Sequence, residues 1–273
     1  MVDVQAYLDR IGFQGVPRAD LETLRALHRG HSFAIPYENL DVQLGRPLTT
    51  DPAAAFEKIV HGRRGGWCYE MNGLLGAVLQ EIGFNVTRLA GAAMRKDRGD
   101  DAIGNHLVLL VQLPDGPWIA DVGFGDGSRD PFPLREGKIH SDGYDYDLAR
   151  IDADWWRLTN HPFGGAPSFD FTLEPADPAR LAFKCHELQT SPESGFVLNA
   201  VAQRHAPGEE IRLLRGRSFR RLTPRGPDDS LIDTADGFVA LLKREYDLDL
   251  PEAAGLWPRI AARHDELFAK QPA

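Results

Sequence analysis

Cysteine is nearly missing from this 273-residue chain, in which Cys68 and Cys185 are the only two. They lack the paired spacing of a zinc site, and two thiols are too few for a disulfide framework. Long apolar runs are missing as well. The longest strongly apolar stretch, Leu107 to Val111, is far too short to span a bilayer, so no membrane partner is expected. The first dozen residues have no basic start leading into an apolar run, which argues against a signal peptide. Positive charge is in deficit, and a net charge of -9 argues against nucleic acid as the main partner. Internal repeats, heptad arrays and low-complexity segments are absent too. What remains is 42% hydrophobic and 26% charged, the composition of a soluble globular protein near the size at which one core divides into several. A reducing cytoplasm fits two free thiols best.

The first of those thiols stands in Arg63-Arg64-Gly65-Gly66-Trp67-Cys68-Tyr69-Glu70-Met71-Asn72. From there Met71, Leu74, Leu75, Val78, Leu79 and Ile82 recur at helical spacing, and Gly83 follows as a helix-ending glycine. Cys68 is therefore predicted at a helix N-terminus, where unpaired N–H groups and the macrodipole favour a thiolate, the nucleophilic form. Gly65 and Gly66 are read as the hinge of a sharp turn into that helix, and Arg63 and Arg64 as added positive potential. A buried structural thiol fits the same position about equally well.

Before this helix, Val4, Tyr7, Leu8 and Ile11 predict a first helix. Leu21, Leu24 and Leu27 predict a second, starting at Asp20 and broken at residues 28–32. Ile35 to Leu40 is expected to be extended because of Pro36, and Asp51-Pro52 to start another helix. After it, the pattern changes to strands. Residues 84–90 are expected as a strand and 96–104 as an exposed loop. His106 to Leu113 reads as a strand buried on both faces, Pro114-Asp115-Gly116 as a turn, and Trp118 to Val122 as the returning strand. This hairpin brings His106, at the start of one strand, near Asp121, at the end of the other.

A catalytic cysteine needs a base in reach, and the base needs a group that holds its tautomer. Cys68, His106 and Asp121 can fill those roles as a papain-like set with aspartate in place of asparagine. Cys185 has no glycine hinge before it and reads as an ordinary thiol. Short strands are expected between residues 128 and 180, a hairpin around Arg215-Gly216-Arg217, a helix over residues 237–246 and a helical C-terminal end around Leu256, Ile260 and Leu267. Seven arginines between Arg204 and Arg225 read mainly as a solvated strand face with acidic neighbours, although a polyphosphate cofactor could use some of them.

Residues 63–72, the Ile35 to Leu40 segment, Asp121-Val122-Gly123-Phe124-Gly125 and Ser191-Pro192-Glu193-Ser194-Gly195-Phe196 resemble, in matching order, segments of the arylamine N-acetyltransferases. That resemblance implies an α+β fold: a helical bundle over residues 1–83, an antiparallel β-barrel-like domain over 84–190, and an interdomain segment with a C-terminal α/β lid over 191–273. It implies that Cys68 accepts the acyl group, that His106 is the base and that Asp121 orients it. Tyr37, Tyr69, Phe124 and Phe196 are the implied substrate contacts, with Tyr37 standing where many members have Phe, and Gly125 is an implied cofactor contact. Acetyl-CoA is the implied acyl donor and an amine the acceptor, with no permanently bound cofactor, no metal, and a monomer or homodimer as the expected state. An amide synthase, a cysteine hydrolase or transglutaminase-like enzyme, and a non-catalytic binding module remain competing readings of the same residues.

Overall fold

Four helices begin the same way, with an aspartate that accepts a hydrogen bond from a main-chain N–H of the first turn: Asp3 from Ala6, Asp20 from Thr23, Asp51 from Ala53 and Asp177 from Ala179. In the computed structural model, which describes residues 2–268, the first three of these caps start α1 (Val4–Ile11), α2 (Leu21–Ala34) and, after β1 (Tyr37–Glu38) and α3 (Leu40–Gln43), α4 (Pro52–Phe56). A π-helical turn, Glu57–His61, extends α4, and α5 (Cys68–Ile82) closes on Gly83 in the left-handed conformation, as expected.

Two local expectations change. The second helix does not break at residues 28–32, because its polar side chains find partners in the interior. The Nδ1 of His28 lies 2.9 Å from the Arg129 carbonyl, Tyr7 Oη lies 2.9 Å from His31 Nδ1, and Ser32 bonds back to the His28 carbonyl. The extended segment is only two residues long, since the Glu38 carboxylate accepts from the Leu40 N–H and the chain turns at once into α3.

The α5 face bearing Met71, Leu74, Leu75, Val78 and Leu79 is buried against Tyr7, Leu24, Leu27 and Ile59 of the other helices. Its far side meets Leu109, Val111 and Trp118 of the sheet within the same core. Each such aliphatic side chain contributes about 1.5–3 kcal/mol on burial, so this helix is fixed along its whole length.

That sheet begins with β2 (Asn85–Ala93). The expected exposed loop follows as two helical turns, α6 (Arg95–Arg98) and a 3-10 turn, Gly99–Ala102. Then come β3 (His106–Leu113), β4 (Gly116–Ala120), β5 (Phe132–Pro133), β6 (Gly137–Ser141), β7 (Tyr144–Arg150), β8 (Trp156–Thr159) and β9 (Ser168–Pro175). The order β5-β4-β3-β2-β9-β8-β7-β6 is antiparallel throughout and forms a near-closed, barrel-like sheet around Phe169, Phe171, Tyr146 and Leu148. Strand β3 is interior to it and buried on both faces, as its composition predicts.

The chain continues through α7 (Pro178–Thr190), α8 (Gly195–Leu198), β10 (Val201–Ala206), β11 (Glu210–Arg215), β12 (Ser218–Thr223) and β13 (Gly226–Leu231). It ends with α9 (Ala235–Tyr246), a 3-10 turn, Pro251–Leu256, and α10 (Trp257–Phe268). A second sheet, β1-β10-β11-β12-β13, pairs Tyr37 with Gln203 and so ties the early chain to the late chain. On it, Arg212 and Arg221 pair with Glu245, Arg220 with Asp229 and Arg217 with Asp233, which accounts for most of the arginine cluster. Among the described residues no helix is long and apolar enough to cross a membrane.

Candidate active site

The turn into α5 works differently from a flexible hinge. Neither Gly65 nor Gly66 takes a positive φ; Arg63 does, at 50°. The glycines are needed for space instead, because a Cβ on Gly65 would lie 2.1 Å from the Pro36 carbonyl oxygen and one on Gly66 2.8 Å from Glu70 Cβ. The two arginines are also not free to act on the thiol. Arg64 pairs with Glu38 and Asp41, and Arg63 with Asp247. With Lys58, which pairs with Asp41 and Glu70, Arg64 completes a buried charge network behind the start of α5. The Glu70 carboxylate caps that start by accepting from the Trp67 N–H at 3.3 Å.

Cys68 is the first residue of the helix, where its N–H has no acceptor within the helix. The hairpin delivers the other two residues. β3 and β4 pair Leu109 with Ala120, and Asp121 leaves the sheet one residue later, with His106 at the start of β3. His106 Nε2 lies 2.7 Å from Asp121 Oδ2, and both side chains are buried. Cys68 lies close enough to His106 to act on its charge, and its Sγ is 3.9 Å from the Asn105 carbonyl. Because Nε2 is taken by the aspartate, Nδ1 is the ring nitrogen left to take a proton from the thiol.

Burial alone would depress the His106 pKa, but the charge of Asp121, its hydrogen bond and the contact with Cys68 outweigh it and push the imidazole up to about 10. Burial acts on Asp121 in the opposite sense. There the imidazolium, Asn72 and the Gly123 N–H prevail and hold the carboxyl below its ordinary value. The pair is thus arranged to carry an imidazolium and a carboxylate at neutral pH.

Asn72, one turn beyond Cys68 on the same helical face, is a participant that the sequence reading left without a role. Its Nδ2 donates to Asp121 Oδ1 at 2.7 Å and to the Leu107 carbonyl at 2.5 Å, while its Oδ1 accepts from the Val122 N–H at 2.9 Å. It therefore locks the cysteine helix to the strand end carrying the aspartate. Its spacing of four from Cys68 was the available signal. Gly123 packs directly on the nucleophile, and a Cβ there would lie 2.7 Å from Cys68 Cα.

The remaining expected residues are each held by partners of their own. Phe124, half-buried, meets His106 at a tilt at 5.4 Å and Phe169 edge-on at 4.8 Å, the latter one of the aromatics of the short strands expected after residue 128. Phe196, also half-buried, meets Trp67 edge-on at 5.3 Å, and its carbonyl accepts from Asn39 and Gln43. Tyr37 shares a cluster with Cys68, and burial together with the nearby thiol and carboxylates raises its phenol pKa well above the usual value. Tyr69 is buried with its hydroxyl donating to the Gly104 carbonyl at 2.6 Å, which fixes the segment leading to His106. Gly125 has φ of +74°, and Gln203 fills the space a side chain would need. Cys185 lies inside α7 in the same apolar cluster, and burial, then Cys68 and Glu70, push its thiol up to about 12, which keeps it protonated and inert.

A helical bundle whose last helix opens on a cysteine, laid against an antiparallel sheet that presents a histidine and an aspartate, defines the papain-like class of thiol site. Comparison with known proteins narrows the class. The family model described as N-acetyltransferase matches residues 20–254. The arylamine N-acetyltransferase of Mycolicibacterium smegmatis is 36% identical over 262 residues, which cover 93% of this chain and 94% of that protein. A solved M. smegmatis arylamine N-acetyltransferase superimposes with a TM-score of 0.86 at 35% identity, covering 96% of this chain and 98% of that one. The Mycobacterium marinum arylamine N-acetyltransferase in complex with CoA superimposes at 0.85 with 30% identity, covering 97% of this chain and 99% of that one. The chain belongs to the arylamine N-acetyltransferase family.

Proposed function

We propose that the protein transfers an acetyl group from acetyl-CoA to an arylamine, arylhydrazine or related amine by a ping-pong route through an acetyl-Cys68 intermediate. The observation that carries this reading is the buried His106–Asp121 pair, 2.7 Å apart, set beside Cys68 at the first position of α5, with His106 pushed up to about 10. His106 holds the thiol proton as imidazolium, and the Cys68 thiolate attacks the thioester carbonyl. The Cys68 N–H, free at the first helical position, faces the developing oxyanion. Collapse expels the coenzyme A thiolate, which takes the proton from His106. The amine then attacks the acetyl-cysteine, gives its proton to His106, and Cys68 leaves as thiolate.

We read Phe196, packed on the apolar cluster that holds Cys68, and Phe124, packed on His106, as an apolar mouth to the thiol, and Cys68 itself is only 3% exposed. Such a mouth favours an aromatic acceptor over water and so favours transfer over hydrolysis. Support for acetyl-CoA as donor comes from the relative solved with CoA. We assign the divisions at residues 83 and 190, and a cytoplasmic setting, to the same reading.

Acetyl-CoA alone should add one acetyl group to Cys68, detected by intact mass and peptide mapping, and an added arylamine should remove it as the acetylated product. Folded protein that takes up no acetyl group, or a Cys68→Ala variant that still turns over, would refute the assignment. Loss of the acetyl group to water at the same rate with and without amine would establish the hydrolase reading instead.

A further inference from the structure

The glycine-rich segment after β4 carries Asp121 at its start and Phe124 over the histidine ring, and it runs to Arg129. Its first three N–H groups have left the ladder and are each captured by a side chain. Val122 donates to Asn72, Gly123 to Asp121 Oδ1, and Asp121 itself donates at 3.1 Å to Nε2 of His28. The other nitrogen of the same ring lies 2.9 Å from the Arg129 carbonyl. One buried imidazole thus holds both ends of the segment.

The chemistry fixes its state. A main-chain N–H can only donate, so Nε2 must offer a lone pair; a carbonyl can only accept, so Nδ1 must carry the proton. His28 is therefore the neutral Nδ1–H tautomer. Burial favours that neutral form over the hydrogen bond to the Arg129 carbonyl and the attraction of Asp130 and Asp121, and His31 and His205 lie within electrostatic reach on α2 and β10.

We propose that His28 is a positioning residue for Asp121 and the segment it starts, clasping residues 121 and 129 so that the carboxylate stays on His106 and Phe124 stays over the ring. The proposal rests on the reading of Asp121 as the group that orients His106. His28 comes from α2, touches neither Cys68 nor His106 by any hydrogen bond of its own, and acts through the main chain alone.

The test compares His28→Phe, which keeps a ring but cannot accept, with His28→Gln, whose carbonyl can take the Asp121 N–H and whose amide can serve the Arg129 carbonyl. The readouts are the rate of Cys68 alkylation by iodoacetamide from pH 5 to 10, and kcat and KM for the amine, on variants whose circular dichroism matches the parent. In His28→Phe the pH profile of alkylation should shift towards that of a simple thiol. Its kcat should fall about 10–100-fold, as expected for misplacement of a catalytic group by a fraction of an ångström, with KM little changed. His28→Gln should return both to within a few-fold of the parent. A folded His28→Phe with the parental alkylation profile, or a His28→Gln as impaired as the Phe variant, would overturn the proposal. Should His28→Phe not fold, His28→Asn, too short to reach both carbonyl and N–H, takes its place. If the parent takes no acetyl group from acetyl-CoA, the acetyl-transfer reading fails, while the alkylation profile still decides the role of His28.

Discussion

Replacing Asp121 by Asn leaves the shape of the site intact and removes one charge, and the hydrogen bonds around it predict how the site fails. Asp121 Oδ1 accepts from Asn72 Nδ2 at 2.7 Å and from the Gly123 N–H at 2.9 Å, so an asparagine must turn its oxygen to those two donors. Its Nδ2 then faces His106 Nε2 where Oδ2 had been, and a donor meeting that nitrogen forces it to accept. The imidazole proton moves to Nδ1, the nitrogen left for the thiol, so no lone pair remains to take the thiol proton. The difference between an ordinary histidine at 6.5 and His106 at about 10 sets an upper bound of roughly 5 kcal/mol on the lost preference for the imidazolium. Acetyl transfer at pH 7 should fall about 10³–10⁴-fold, the scale of a wrong-tautomer defect in a triad.

Asp121→Asn should also show a specific pH signature. A histidine raised in the folded state stabilises the fold fully below its unfolded value near 6.5 and loses that contribution as pH rises through about 10. The gap in melting temperature between parent and variant should accordingly be widest at pH 6 and narrow towards pH 10. Single-turnover acetylation followed by quenched mass spectrometry, with thermal melts across the same range, measures both. An Asp121→Asn variant within tenfold of the parent at pH 7, or a melting gap independent of pH, would refute the tautomer argument.

Other substitutions probe the neighbouring contacts. Gly123→Ala should impair acetylation of Cys68 far more than it lowers the melting temperature, since the new methyl would stand 2.7 Å from Cys68 Cα and push the nucleophile off its line; equal acetylation rates would show that the contact is slack. Asn72→Leu leaves the Val122 N–H and the Leu107 carbonyl buried without partners and should cost about 2–4 kcal/mol in urea unfolding, with activity lost alongside. Lys58→Met leaves the buried Glu70 carboxylate without its cation, while Asp41 keeps Arg64 and Arg46, and should destabilise by about 3–5 kcal/mol, read from the urea midpoint. Iodoacetamide at pH 8 should label Cys68 and leave Cys185 unmodified by peptide mapping, because a thiol held near 12 offers almost no thiolate.

The parts legible in the sequence are those that local physics settles. Periodicity and Gly83 defined α5 to the residue, the Asp-Pro pair announced the start of α4, and the Pro-Asp-Gly turn paired β3 with β4 closely enough to bring His106 to Asp121. Each depends on residues a few positions apart. Where the reading slipped, the decisive partner was distant in the chain. His28 looked like a helix break because its acceptor and donor sit at Arg129 and Asp121. Gly65 and Gly66 looked like a flexible hinge because nothing local reveals that Pro36 and Glu70 crowd them. Arg63 and Arg64 looked available to the thiol until Asp247, Glu38 and Asp41 took their charges.

By itself, then, the sequence determined which thiol begins a helix and which hairpin carries the histidine and the aspartate. Only the tertiary structure decided that Asn72 and His28 hold that aspartate in place and that the glycines make room rather than bend. Helix ends and tight turns are set by short-range sterics and hydrogen bonds, whereas buried polar groups are placed by partners that meet only when the helices close on the sheet.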